Sequence, residues 1–172
     1  MARALTRISR LRSTLLEQLQ ALDPALLTAH PIPGKWSILE IVEHLVLAEE
    51  AVFYGQKGLD GEAVPRRTIR NLALYWVVMG VLVFGIPVRV PSRTMRPKGE
   101  RTLDALADAW ERSQERLGRH VRELDRRGLS LPIFSHPVSG PMSTRQAIWM
   151  LEAHLRRHRR QIRGRVRLLT RS

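Results

Sequence analysis

An all-α bundle of four long helices, with a long crossover between the second and the third, is the fold class the sequence predicts. Apolar residues recur at steps of three and four in four separate stretches. Two of these stretches open on a capping box, and the alternating pattern of a half-buried strand is almost absent. The chain has 172 residues, 44% of them apolar, which suffices for one core, so residues 1–172 are read as a single domain.

The first helix is expected over residues 3–22, where Leu5, Ile8, Leu11, Leu15, Leu19 and Leu22 make one stripe and Asp23-Pro24 stops it. A loop with His30, Pro31, Pro33 and Gly34 follows. The second helix opens at Ser37-Ile38-Leu39-Glu40, a capping box with Trp36 and Ile41 as a hydrophobic staple, and is expected to reach Lys57 before Gly58. The third spans 102–127, with Leu103, Leu106, Trp110, Leu117, Val121 and Leu124 as its stripe and Gly128 as its end. Ser130 to Gly140 reads as a loop. The last helix begins with the capping box Ser143-Thr144-Arg145-Gln146 and continues to Leu169.

The connector from Gly58 to Arg101 is about 40 residues long, far more than a helix hairpin needs. It makes an up-down-down-up order available. Inside it, Leu72 to Val88 is an uncharged run of seventeen residues, read as an extra apolar helix. A bilayer span needs roughly 20 apolar residues, and this run also holds Gly80, Gly85 and Pro87. It is expected to lie against the bundle, a homodimer partner or a membrane surface, where it forms a lid, a seam or a peripheral contact.

Zero cysteines exclude a disulfide scaffold, a thiol nucleophile and an iron–sulfur site. The formal charge is +13, from 29 basic and 16 acidic residues, and only Lys35, Lys57 and Lys98 of the basic residues are not Arg. Eight Arg and no acidic residue lie between Ala153 and Ser172, so weak, salt-sensitive and nonspecific binding of nucleic acid is expected. The first twelve residues lack the apolar run and cleavage site of a secretory signal, which points to a cytoplasmic protein.

His154 and His158 stand four apart on a helix face shared with Ala147, Met150, Leu151 and Ile162, and His44 lies on the apolar side of the second helix. Three neutral imidazoles leave a divalent ion open positions for water or substrate, as a catalytic site requires. The spacing alone better suits a pair in a basic solvated face. A three-His, carboxylate-poor site suits zinc or nickel, with ferrous iron next, and disfavours magnesium and calcium. Glu40 is used by its capping box, and Glu43 points about 100° away from His44. His30 and His136, beside prolines, are expected to be exposed, and His120 partly buried.

The stretch Gly34-Lys-Trp-Ser-Ile-Leu-Glu-Ile-Val-Glu-His44-Leu resembles the second-helix signature of the DinB-like (YfiT-like) superfamily of metalloenzymes. His136-Pro-Val-Ser-Gly-Pro and Glu152-Ala-His154-Leu-Arg-Arg-His158-Arg-Arg-Gln161-Ile resemble its late loop and last helix. The resemblance implies that His44, His154 and His158 bind a divalent metal. It also implies a small-molecule substrate and chemistry of the thiol S-transferase or hydrolase type, with a low-molecular-weight thiol as a partner. Arg157, Arg160 or Arg165 would then meet an anionic substrate, against the simpler expectation of surface charge. Gln161 is expected to pack first and to support His158 second. The alternatives are a basic nucleic-acid-binding bundle and a membrane-associated bundle, both without catalysis.

Overall fold

The computed structural model describes residues 1–54, 66–88 and 93–171, apart from the side chains of residues 52–54. The described residues form six α-helices and one short hairpin: α1 (Ala2–Gln20), α2 (Pro24–Thr28), α3 (Ile38–Tyr54), α4 (Ile69–Phe84), α5 (Leu103–Glu123), β1 (Phe134–His136), β2 (Gly140–Met142) and α6 (Thr144–Leu169). The four long helices of the sequence reading are α1, α3, α5 and α6, and the apolar run expected over Leu72 to Val88 supplies most of α4, which starts three residues earlier at Ile69 and ends at Phe84. The helix end expected at Lys57 and Gly58 lies outside the described residues.

Both expected capping boxes form. Glu40 accepts from the Ser37 amide at 2.7 Å while the Ser37 hydroxyl accepts from the Glu40 amide at 3.2 Å. Gln146 and Ser143 repeat the exchange at 3.0 and 3.3 Å. Asp23-Pro24 ends α1 but also starts α2, because the Asp23 carboxylate accepts from the Ala25 amide at 2.8 Å and Pro24 is the first helical residue. Helix α5 stops at Glu123, four residues before its expected end: Leu124 turns extended, and the Asp125 carboxylate captures the Gly128 amide.

The expected loop before α6 contains the antiparallel pair β1–β2, with Phe134 opposite Met142. Gly140 sits there at φ +70, and an added Cβ would lie 2.7 Å from the Asn71 amide nitrogen. That Asn71 nitrogen donates to the Ser139 carbonyl at 3.1 Å, so the start of α4 is tied to the hairpin through a place only glycine fits. The far end of α4 closes on Gly85 at φ +71, a left-handed cap.

Two apolar clusters result. The larger joins α1, α2, α3, α5 and α6 around Ile8, Leu19, Ile41, Leu106, Trp110 and Ile148. The smaller joins α4, the hairpin and α6 around Tyr75, Leu82, Phe134, Met142 and Met150. The first holds the bundle. The second seats the crossover helix beside the histidines.

Candidate metal centre

The start of α3 fixes the first imidazole. Its capping box sets where the helix begins, and Arg165 from α6 donates its Nε to the Trp36 carbonyl at 3.1 Å just before that start. The Trp36 ring, expected as a staple, lies 4.9 Å from the His44 ring. His44 thus reaches the α3–α6 seam with its ring braced on one side. His154 and His158 arrive from successive turns of α6.

The three expected residues come together. His44 Nε2 is 3.1 Å from His154 Nε2, and His158 Nε2 is 2.9 Å from that same atom. One ring nitrogen from each residue lies within 4.8 Å of the other two. Two metal–nitrogen bonds of 2.0–2.1 Å at a tetrahedral angle hold their nitrogens about 3.3 Å apart. The spacing therefore fits one small divalent ion.

The outer nitrogens fix the tautomers. His44 Nδ1 is 2.7 Å from the Met95 carbonyl, which can only accept, so the ring proton sits on Nδ1 and Nε2 keeps its lone pair. His158 Nδ1 donates in the same way to Gln161 Oε1 at 2.7 Å. Gln161 supports His158 rather than merely packing, the second of its two expected roles. Such partners orient a ring and raise its basicity toward a metal.

Burial keeps these rings neutral. It pushes His44 below its ordinary value against the Met95 contact, which acts the other way. His154 lies well below its ordinary value through burial and then the neighbouring His158 and His44. Burial, followed by His44, brings His158 down to about 3. Neutral imidazoles are the form that ligates.

The trio opens on a cavity of about 670 Å³ between α3, α4, α6 and the hairpin. Val78, Val81 and Leu82 of α4 and Met142, Met150 and Leu151 line much of it. His136 lines it too, which corrects the expectation of an exposed loop residue. It is half-buried on β1, burial lowers it to about 4, and its Nδ1 accepts from the Val138 and Ser139 amides at 3.2 Å each. The neutral ring therefore carries its proton on Nε2.

The α6 arginines are not a simple solvated face. Arg157 donates to the Val81 and Ile86 carbonyls at 3.2 and 2.7 Å, and Arg160 to Leu82 and Val83 at 3.4 and 3.0 Å. Together they cap the C-terminal carbonyls of α4. Arg157 and Arg165 also line the cavity, and Arg160 does not.

The remaining candidates stand apart from the trio. His30 is exposed and meets Glu40 at 2.9 Å, and His120 is half-buried near the Phe134 ring. Glu43 is buried and accepts the Lys98 and Gly99 amides at 3.0 and 2.8 Å, which anchors the end of the crossover to α3. Sequence reasoning missed Glu49. Its buried carboxyl accepts from Trp110 Nε1 at 2.8 Å and from the Gln114 amide, and burial pushes it up to about 7.

Helical bundle and convergent imidazoles together define a protein with a buried three-histidine centre able to hold one metal ion. A family model described as the DinB superfamily matches residues 7–162, and the chain belongs to that superfamily. Neither a curated protein nor a solved structure gives a significant match.

Proposed function

We propose that this is a single-domain, cytoplasmic, divalent-metal-dependent enzyme acting on a small molecule, of the thiol S-transferase or hydrolase type. His44, His154 and His158 are its ligands, and zinc or nickel its ion, with ferrous iron third. The observation that carries the reading is the convergence of three imidazole nitrogens on the wall of an open cavity. A bound ion would lower the pKa of a thiol or water in its open position and so supply a nucleophile at neutral pH.

The chain's own residues do the rest. The Met95 carbonyl and Gln161 hold the rings in register, and the apolar side chains of α4 exclude water. Exposed Lys35 and Arg96 border the cavity and offer positive charge to an anionic thiol or carboxylate. The apolar lining favours a substrate with an apolar body.

The up-down-down-up order belongs to the same reading. Arg7 meets Glu152, and Leu15 and Leu19 share a surface hollow with Ile162 and Val166, which supports a parallel α1 and α6. Contacts of Glu43 with Gly99 and of Glu49 with Trp110 support a parallel α3 and α5. Trp36 with Arg165 and His44 with His154 support an antiparallel α3 and α6.

Elemental analysis and zinc titration of the purified chain test the proposal, followed by a thiol-consumption and ester-hydrolysis panel. One ion per chain is expected, lost in His154→Ala with helical content retained, and turnover should follow the metal. A folded wild-type chain that takes up none of zinc, nickel or ferrous iron would refute it.

A further inference from the structure

Helix α4 is apolar on both sides. Tyr75 and Leu82, with Val78 and Met79, pack inward on the hairpin and α6. The opposite side carries Ile69, Leu72, Trp76, Val77, Val83 and Phe84, all exposed, with Trp76 at 58% and Phe84 at 81%. Ile69, Leu72 and Trp76 step by three and four, and Val83 and Phe84 follow Trp76 and Val77 by seven, so all six lie on a single stripe. At 1.5 Å per residue the stripe runs about 24 Å, shorter than the roughly 30 Å of a bilayer core. Among the described residues no helix is long and apolar enough to cross a membrane. Trp149, also exposed, lies one turn before the Ala153 that packs on the α4 cluster.

The charges that flank the stripe along the chain are of one sign. Residues 63–99 hold seven Lys and Arg and no Asp or Glu. Arg66, Arg67 and Arg70 are exposed at the start of α4, and the Arg157 and Arg160 side chains reach the carbonyls at its end. An apolar stripe bracketed by guanidinium groups matches the acyl–headgroup boundary of an anionic bilayer. A second copy fits less well. A two-fold seam would bring two like-charged Arg groups together on chains that each carry a formal +13.

We propose that the outer face of α4 docks on an anionic membrane surface. Trp76, Val83 and Phe84 enter the acyl boundary while the exposed Arg66 and Arg70 meet lipid phosphates. Val77 belongs to both the stripe and the cavity wall, so docking brings the cavity against the bilayer.

Co-sedimentation of the full chain with vesicles tests this. The two compositions are phosphatidylcholine alone and phosphatidylcholine mixed with phosphatidylglycerol. Partition into the mixed vesicles should exceed that into phosphatidylcholine by about tenfold or more and fall with salt. Trp76→Ser/Phe84→Ser leaves every charge in place and should cut that partition by about tenfold. Equal binding by this variant would reduce the effect to the attraction of any basic protein, and overturn the proposal. So would no partition at all, or a dimer in sedimentation velocity that this variant dissociates. Should the variant misfold by circular dichroism, lipids brominated on the acyl chain decide with the unmodified protein. Quenched tryptophan emission supports docking, and unquenched emission overturns it.

Discussion

Replacing His158 by Gln should remove a defined part of the acid sensitivity of the fold. In the folded chain burial, then the neighbouring His44, holds this imidazole at about 3, against an ordinary 6.5. Because the folded value is the lower one, the stability linked to the neutral ring is complete above pH 6.5. It is lost as the pH falls toward 3. At pH 4 the unfolded chain has bound the proton and the folded chain has not. The difference favours unfolding by about 3 kcal/mol, at about 1.4 kcal/mol for each pH unit. That is a large share of the roughly 5–15 kcal/mol that holds a domain together. The assay is urea unfolding followed by circular dichroism at pH 7 and pH 4, with chelator present, for wild type and His158→Gln. The variant starts less stable at pH 7 but should lose about 3 kcal/mol less between the two conditions. Taking the difference between variants cancels the titrating groups that do not touch this ring, Glu49 among them. Parallel pH dependence in the two proteins would mean that the ring is not buried and neutral, and the reasoning would fail.

Gln161→Leu removes the acceptor on His158 Nδ1 and should weaken zinc affinity about 10- to 100-fold in a competition titration, with the thermal unfolding curve little changed. Glu49 is raised to about 7 by burial, so its contribution is full below 4.5 and lost as the pH rises through 7. Glu49→Gln should therefore flatten the alkaline side of the stability profile, by up to about 3 kcal/mol at pH 9, measured by urea unfolding. Ser143→Ala deletes the cap of α6 and should cost about 1 kcal/mol in the same assay, while Ser143→Thr should cost less.

The two capping boxes made the helix starts legible, since each is written in four adjacent residues and needs no tertiary partner. The meeting of His44, His154 and His158 was legible for a related reason. Spacing put two rings on one face and the apolar pattern set the third toward the core, but it was the resemblance of both stretches to DinB-like motifs that joined the three into one site. What stayed hidden depends on contacts distant in sequence. His136 looks like a loop residue beside a proline until α4 and the hairpin close over it. Arg157 and Arg160 read as a charged surface because nothing local announces the carbonyls of a helix more than 70 positions away. Asp23-Pro24 is ambiguous by its own chemistry, as the pair that stops one helix is well suited to start another. Glu49 gave no motif because its role is to satisfy an indole from α5.

Arg157 occupies a telling position, between His154 and His158 on the same turn of α6, with its side chain gripping the last turn of α4. The roof of the cavity and its floor are therefore hinged on neighbouring residues. A molecule that fills the cavity by lifting the end of α4 must pull on the backbone that carries two of the imidazoles. The wall of the cavity and the support of the trio thus share one turn of α6, whose Arg157, with Arg160 beside it, grips the end of α4.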